Sequence, residues 1–198
     1  RANLNNRIST ISNFASPNAG GIIVGEYYDN AFQGMASSTL IGAANRVDMA
    51  PFYTSEQLRI DMIGTLVSTA VASALGKCFI YGSGADNWPS ELLFEGDSDL
   101  LFSSTGYKGH AIDFTFDSGR QYWLGVRHSS TATLRTINSG SAVNLGVAGA
   151  AGTSYYTVIR RTIAYATPLP PLWDFLPSDR AANITPPSIR MRAAAGGE

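Results

Sequence analysis

The chain has 198 residues, 44% of them hydrophobic and 15% charged, with a formal net charge of −1. That length suits one domain with modest extensions and a core that needs neither disulfide nor metal. The near-zero charge argues against nucleic acid or an anionic membrane as partner, and no apolar run reaches membrane-spanning length.

Residues 1–20, "RANLNNRISTISNFASPNAG", are polar and close on a Ser-Pro-Asn-Ala-Gly breaker. Leu4, Ile8 and Ile11 fall at helical spacing, so a short helix or stalk end is possible, and the segment reads as an N-terminal tether. Starting at Arg1 rather than Met, the sequence reads as processed or as part of something longer. From Gly21 onward the signals are those of strands. "GGIIVGEYY" is short, branched and bounded by glycines, and "NRVDMAPFY" follows. In "LRIDMIGTLVS", Leu58, Ile60 and Met62 alternate with Arg59 and Asp61, the period of a half-buried strand. Ile63 and Gly64 break that phase and predict a bulge. "VSTAVASALG" reads equally as a helix, by its alanines, or as a strand and a loop. "KCFIY" is a buried strand whose Cys78 is expected to be an inert thiol. The loop "GSGADNWPSE", the strand "ELLFEGD" and the loop "SSTGYKG" come next. Four further strands are expected: "HAIDFTF", "QYWLGVRH", "ATLRTIN" and "YYTVIRRTIAY", the last two separated by the small-residue loop "SGSAVNLGVAGAAGTS". Residues 167–198 carry six prolines and read as an extended C-terminal arm. Short strands with closely spaced turn signals predict an all-β fold, a jelly-roll-like β-sandwich over residues 21–166.

Register sharpens one part of this. Ile112, Phe114 and Phe116 share a face, as do Tyr122, Leu124 and Val126, with Trp123 and Arg127 opposite. If these strands form a hairpin, an odd loop pairs Phe116 with Tyr122 and Phe114 with Leu124. A two-residue Ser-Gly turn would instead leave the Asp113 carboxylate in the core, an expensive burial. The odd loop is therefore expected, with Trp123 and Arg127 pointing away from the main core and His128 inward or ending its strand.

Charges are uneven. Asp86, Glu91, Glu95, Asp97, Asp99, Asp113 and Asp117 form an acidic block opposed by Lys108, whereas residues 118–173 hold no acid and five arginines: Arg120, Arg127, Arg135, Arg160 and Arg161. Either the blocks neutralise one another across strands or subunits, or the arginines form a basic patch for an anionic glycan. His110 and His128 are expected near one another at the hairpin's open end, bonded to backbone. Glu95, Asp97 and Asp99 alternate along one strand face and could form part of a Ca²⁺ site, although the EF-hand order is absent. Glu91, Glu95, Asp113 and Asp117 could supply a pair of carboxylates for glycoside hydrolysis. No nucleophile elbow, phosphate loop, Cys/His metal spacing or dinucleotide fingerprint occurs, so no catalytic residue and no cofactor are assigned. Tyr81, Trp88, Tyr107 and Trp123 could stack on sugar rings. Trp88, Tyr107, Trp123 and Arg127 make up the candidate glycan-binding set.

Several motifs together resemble a module of tailed-phage and prophage virion proteins. They are Ile60-Asp61-Met62-Ile63-Gly64, Ile80-Tyr81, Pro89 with Leu92, Thr105-Gly106-Tyr107-Lys108, and Gly119 through Val126. The resemblance covers about residues 50–137. It implies a jelly-roll domain of a tail fibre, head fibre, spike or decoration protein. Such a domain is commonly homotrimeric, sits in the virion among other virion proteins, and displays loops towards a host surface glycan. It carries over no catalytic residue. Host attachment is the expected role, with capsid decoration and glycan depolymerisation as alternatives.

Overall fold

The computed structural model describes residues 22–30, 35–137, 142, 145, 147–148 and 154–195, so the proposed tether and most of the small-residue loop lie outside the described residues. Two antiparallel sheets face one another as a β-sandwich. The first runs β1 (Tyr27–Asp29), β14 (Ile189–Ala193), β4 (Leu58–Thr69), β10 (Thr133–Ile137) and β2 (Met35–Ile41). In it β8 (Gly106–Phe116) pairs the opposite side of β4, since Ile63 partners both Met191 and His110. The second runs β11 (Val147–Ala148), β12 (Ser154–Thr162), β3 (Arg46–Tyr53), β9 (Gln121–His128), β5 (Leu75–Ser83) and β6 (Pro89–Glu95). Here β13 (Arg180–Ala182) pairs β12 and β7 (Leu100–Leu101) pairs β5.

Alternation places the core as expected. Leu58, Ile60, Ile63 and Val67 of β4 meet Cys78 and Ile80 of β5 and Tyr122, Leu124 and Val126 of β9 between the sheets. Each such side chain contributes roughly 1.5–3 kcal/mol by leaving water. The bulge in β4 is present, with its register against β8 shifting between Ile60 and Met62, just ahead of the predicted position. "VSTAVASALG" resolves as the end of β4 and a turn into β5, not a helix.

Two expectations need correction. The strands "HAIDFTF" and "QYWLGVRH" do not form a hairpin: β8 pairs with β4, and β9 lies between β3 and β5 in the other sheet. The Asp117–Arg120 connection, with Gly119 at φ 74°, crosses from one sheet to the other. The faces still come out right because both strands turn their aromatic side chains into the same inter-sheet space. Phe116 and Tyr122 pack edge to face at 4.9 Å without their backbones pairing.

The Pro-rich segment is also not a detached arm. Residues 164–176 cross the outer face of the second sheet and follow the edge of β6, with Leu92 N–H donating to Pro171 O (2.9 Å) and Trp173 N–H to Ser90 O (2.7 Å). A 3₁₀ turn at Pro177–Asp179 leads into β13, and the chain then enters the first sheet as β14, between β1 and β4. The prolines occupy connecting stretches where no ladder N–H is needed, and β14 contains none.

Candidate functional site

The outer face of the second sheet gathers the candidate residues. Val47, Met49, Phe79, Tyr81, Trp123 and Ile159 form a second apolar layer, closed from above by Leu169 and Trp173 of the crossing segment. Trp123 and Arg127 do point away from the main core, but they are 1% and 2% exposed, so neither is open to a sugar or a partner. The expectation of a free face fails because the covering segment is more than thirty residues away in sequence.

Arg127 fastens that cover. Its guanidinium pairs with Glu95 and donates to the carbonyls of Ala164 (3.1 Å), Tyr165 (2.8 Å) and Thr167 (2.6 Å). The second Glu95 oxygen accepts from Leu169 N–H at 3.3 Å, and Tyr165 O–H donates to Asp99 at 2.9 Å. Further along, Tyr81 O–H donates to Pro170 O at 2.7 Å, and Arg161 lies 4.4 Å from the centre of the Trp173 ring while pairing with Asp179.

At the other end of β9 the face opens into a cavity of about 280 Å³ lined by Pro51, Asp86, Asn87, Trp88, Gln121, Trp123 and Leu145. Trp88 stacks with Phe175 at 4.0 Å and 6°, and with Trp123 at 5.9 Å and 26°. The rim loop is locally held. Gly84 N–H donates to Trp88 O (2.9 Å), Asn87 N–H to Gly84 O (3.0 Å), and Trp88 N–H to Asp86 Oδ1 (3.2 Å). Asn87 takes φ 64°, a left-handed conformation that asparagine tolerates better than most residues. Gln121 Nε2 donates to Asn87 O at 2.8 Å, tying the loop to β9. Trp123 Nε1 donates to Ser83 Oγ at 3.1 Å, so the buried indole is satisfied. Asp86 and Asn87 are exposed, Trp88 and Gln121 half-buried.

Of the four candidate glycan contacts, then, Trp88 and Trp123 come together while Tyr107 and Arg127 lie elsewhere. Tyr107 sits on β8 of the first sheet, over Gly64 and Gly109 and edge to face with Tyr27 at 5.2 Å. Burial pushes its phenol up, and its hydroxyl has no hydrogen-bond partner among the described residues. Arg127 is committed to Glu95 and the backbone. Asp86, Asn87, Gln121 and Phe175 escaped the sequence reading. The loop "GSGADNWPSE" was the available signal for the first two, whereas Phe175 arrives only through tertiary packing.

The calcium candidate does not assemble. Glu95 is held by Arg127, Asp99 faces Tyr165 and Lys77 (3.9 Å), and Asp97 is exposed. Among the described residues no three His, Cys, Asp or Glu side chains cluster as metal ligands. The hydrolytic carboxylates scatter likewise. Asp113 pairs with Arg59 on the first sheet (2.9 Å), Asp117 with Arg120 in the crossing turn (3.7 Å), and Glu91 is on β6.

The histidines also part company. His110 Nε2 accepts the Cys78 N–H at 3.3 Å, reaching from one sheet to the other where Gly96 leaves room for the ring. Burial lowers its pKa, so the ring stays neutral and can accept. His128 is buried with Nε2 3.4 Å from Asp48, which also binds Arg46 (2.7 Å) and Arg160 (2.6 Å). Burial lowers the His128 pKa. It would raise the Asp48 carboxyl, but His128 and the two arginines outweigh it and hold that carboxyl below its usual range.

Arg120, Arg127, Arg160 and Arg161 are each bound to a carboxylate, so these four do not pool into a basic patch. No protein family matches the sequence, and no curated protein is significantly similar to it.

Proposed function

We propose that this chain is a non-enzymatic structural protein of a tailed-phage or prophage virion, a fibre- or spike-type β-sandwich that contributes to host attachment by binding a surface glycan. The observation that carries the binding role is the cavity beside Trp88. It combines half-buried indole surface with exposed carboxylate and amide groups on a loop already held by four hydrogen bonds. Sugars present both C–H faces and hydroxyls, and a rim ordered before binding loses little entropy on capture. The motif resemblance over residues 50–137 supports the virion setting, other virion proteins as partners, and assembly as a homotrimer. The capsid-decoration alternative has both extended ends of the chain clamp neighbouring capsid subunits. Residues 168–195 are instead built into this chain's own packing, which removes the C-terminal half of that support.

The experiment is adsorption of virions carrying Trp88→Ala, with Asn87→Ala as a rim variant that removes no aromatic packing. Both should assemble and adsorb to host cells at least about ten-fold more slowly, as expected for losing contacts worth 1.4 kcal/mol or more. Normal adsorption by assembled particles of both variants would remove the cavity from attachment.

A further inference from the structure

We infer that the Trp88 cavity takes an uncharged sugar residue and rejects acidic ones, with Asp86 as the discriminating group. This rests on the glycan reading above. Among the described residues that line the cavity Asp86 is the single charged one, and it is exposed at the rim. Its Oδ1 is fixed by the Trp88 N–H, so the carboxylate is a built part of the loop and not a mobile surface charge. Four arginines that could have balanced it are bound elsewhere: Arg120 to Asp117, Arg127 to Glu95, Arg160 to Asp48 and Arg161 to Asp179.

The remaining polar groups point the same way. Asn87 offers an amide donor and acceptor, and Gln121, with one N–H engaged by Asn87 O, keeps its Oε1 as an acceptor. Together with the second Asp86 oxygen, the rim offers three acceptor oxygens beside three amide N–H groups, and its one charge is negative. A hydroxyl can donate to the carboxylate and accept from the amides. A carboxylate, sulfate or phosphate supplies acceptors alone and meets Asp86 charge against like charge. The volume of about 280 Å³ suits one sugar ring or a chain end, meeting the half-buried Trp88 and Leu145 above the buried Pro51 and Trp123.

The test uses the whole chain and a panel of matched oligosaccharide pairs, neutral glucose-, galactose- and N-acetylglucosamine-based chains against counterparts bearing a uronic acid. Titration is followed by calorimetry and tryptophan emission at low and high salt. Neutral members should bind, and acidic partners should bind at least about ten-fold more weakly at low salt, the gap shrinking as salt screens the carboxylates. Asp86→Asn keeps the shape and the acceptor for Trp88 N–H, and should close most of the gap. Acidic binding equal to or tighter than neutral, and lost in Trp88→Ala, would overturn the inference while leaving the glycan reading intact. A gap unchanged in Asp86→Asn would remove Asp86 from its role. No binding by any member of the panel would overturn the inference and the glycan reading together.

Discussion

Arg127→Met should loosen the segment that covers the second sheet and destabilise the fold by about 3–5 kcal/mol, the usual result of stripping a buried charge of its partner. The guanidinium is 2% exposed and holds Glu95 together with three carbonyls. Methionine retains most of the stem's packing, which isolates the polar loss. The Glu95 carboxylate would then face only the Leu169 N–H. Two of the orphaned carbonyls belong to the exposed residues Ala164 and Thr167 and can turn to water, so they add little. Against a total of about 5–15 kcal/mol for a domain, the single change removes a large fraction. Removing both charges, as in Arg127→Met with Glu95→Gln, should lose clearly less, because no buried ion is then left alone.

The protein carries its own probe for this. Of its three tryptophans, Trp88 and Trp123 lie in or against the layer beneath the covering segment, and Trp173 belongs to that segment and packs onto the layer. Urea titrations followed by tryptophan emission therefore report docking of that segment, and far-UV circular dichroism reports the sheets. A loss below about 1 kcal/mol in Arg127→Met, with no coupling in the double-mutant cycle, would refute the reading of Arg127 as the fastening.

Acid should weaken the fold from the histidine range downward. His110 and His128 are both held below their usual pKa chiefly by burial, so below about pH 6.5 the unfolded chain takes up protons that the folded one refuses. Stability is then level above that pH and falls beneath it, by at most about 1.4 kcal/mol per pH unit for each histidine. Asp48, depressed in the fold, adds a further loss below about pH 4. Thermal melts across pH 3–8 check this, and His110→Gln or His128→Gln should flatten the upper part of the profile. Gly125→Ala should cost about 1–3 kcal/mol in denaturant titrations, because the new Cβ would lie 2.2 Å from the Phe79 ring and 2.6 Å from the Asp48 carbonyl oxygen. An unchanged midpoint would contradict the register of β3, β9 and β5. Burial pushes the Cys78 thiol up to about 12, so a disulfide-exchange reagent at pH 8 should label the folded protein only as fast as it opens. Immediate labelling would place Cys78 at the surface.

What could be read along the chain was what depends on near neighbours. Alternation in "QYWLGVRH" put Tyr122, Leu124 and Val126 inward and Trp123 and Arg127 outward, as the structure has them. Alternation does not say which element covers the outward side, and residues 164–176 do so through contacts with no local signature. The hairpin failed for a related reason. Parity constrains which face a side chain takes, and two strands facing one core from opposite sheets satisfy it as well as two paired strands do. The six prolines were read as excluding a regular helix and a central strand from the tail. Ile189–Ala193, a proline-free run with the inward pattern Ile189, Met191, Ala193, nevertheless forms a central strand between β1 and β4. At the candidate site, Trp88 stood out by its loop, whereas Gln121 and Phe175 reach it only through the packing of distant segments.

β14 has a consequence for how the protein is made. Met191 is the neighbour of Ile63, so β4 must wait through synthesis of more than half the sequence before β14, one of its partners, exists. A nascent chain released before residue 193 would keep β1 unpaired and leave β4 with an open edge, the kind of exposed backbone that draws in other chains. Distant pairing of this sort also makes folding slow, with closure of the first sheet as a late event. In an assembly of the kind proposed above, a prematurely stopped copy would have no finished sandwich to offer and could not take the place of a complete one.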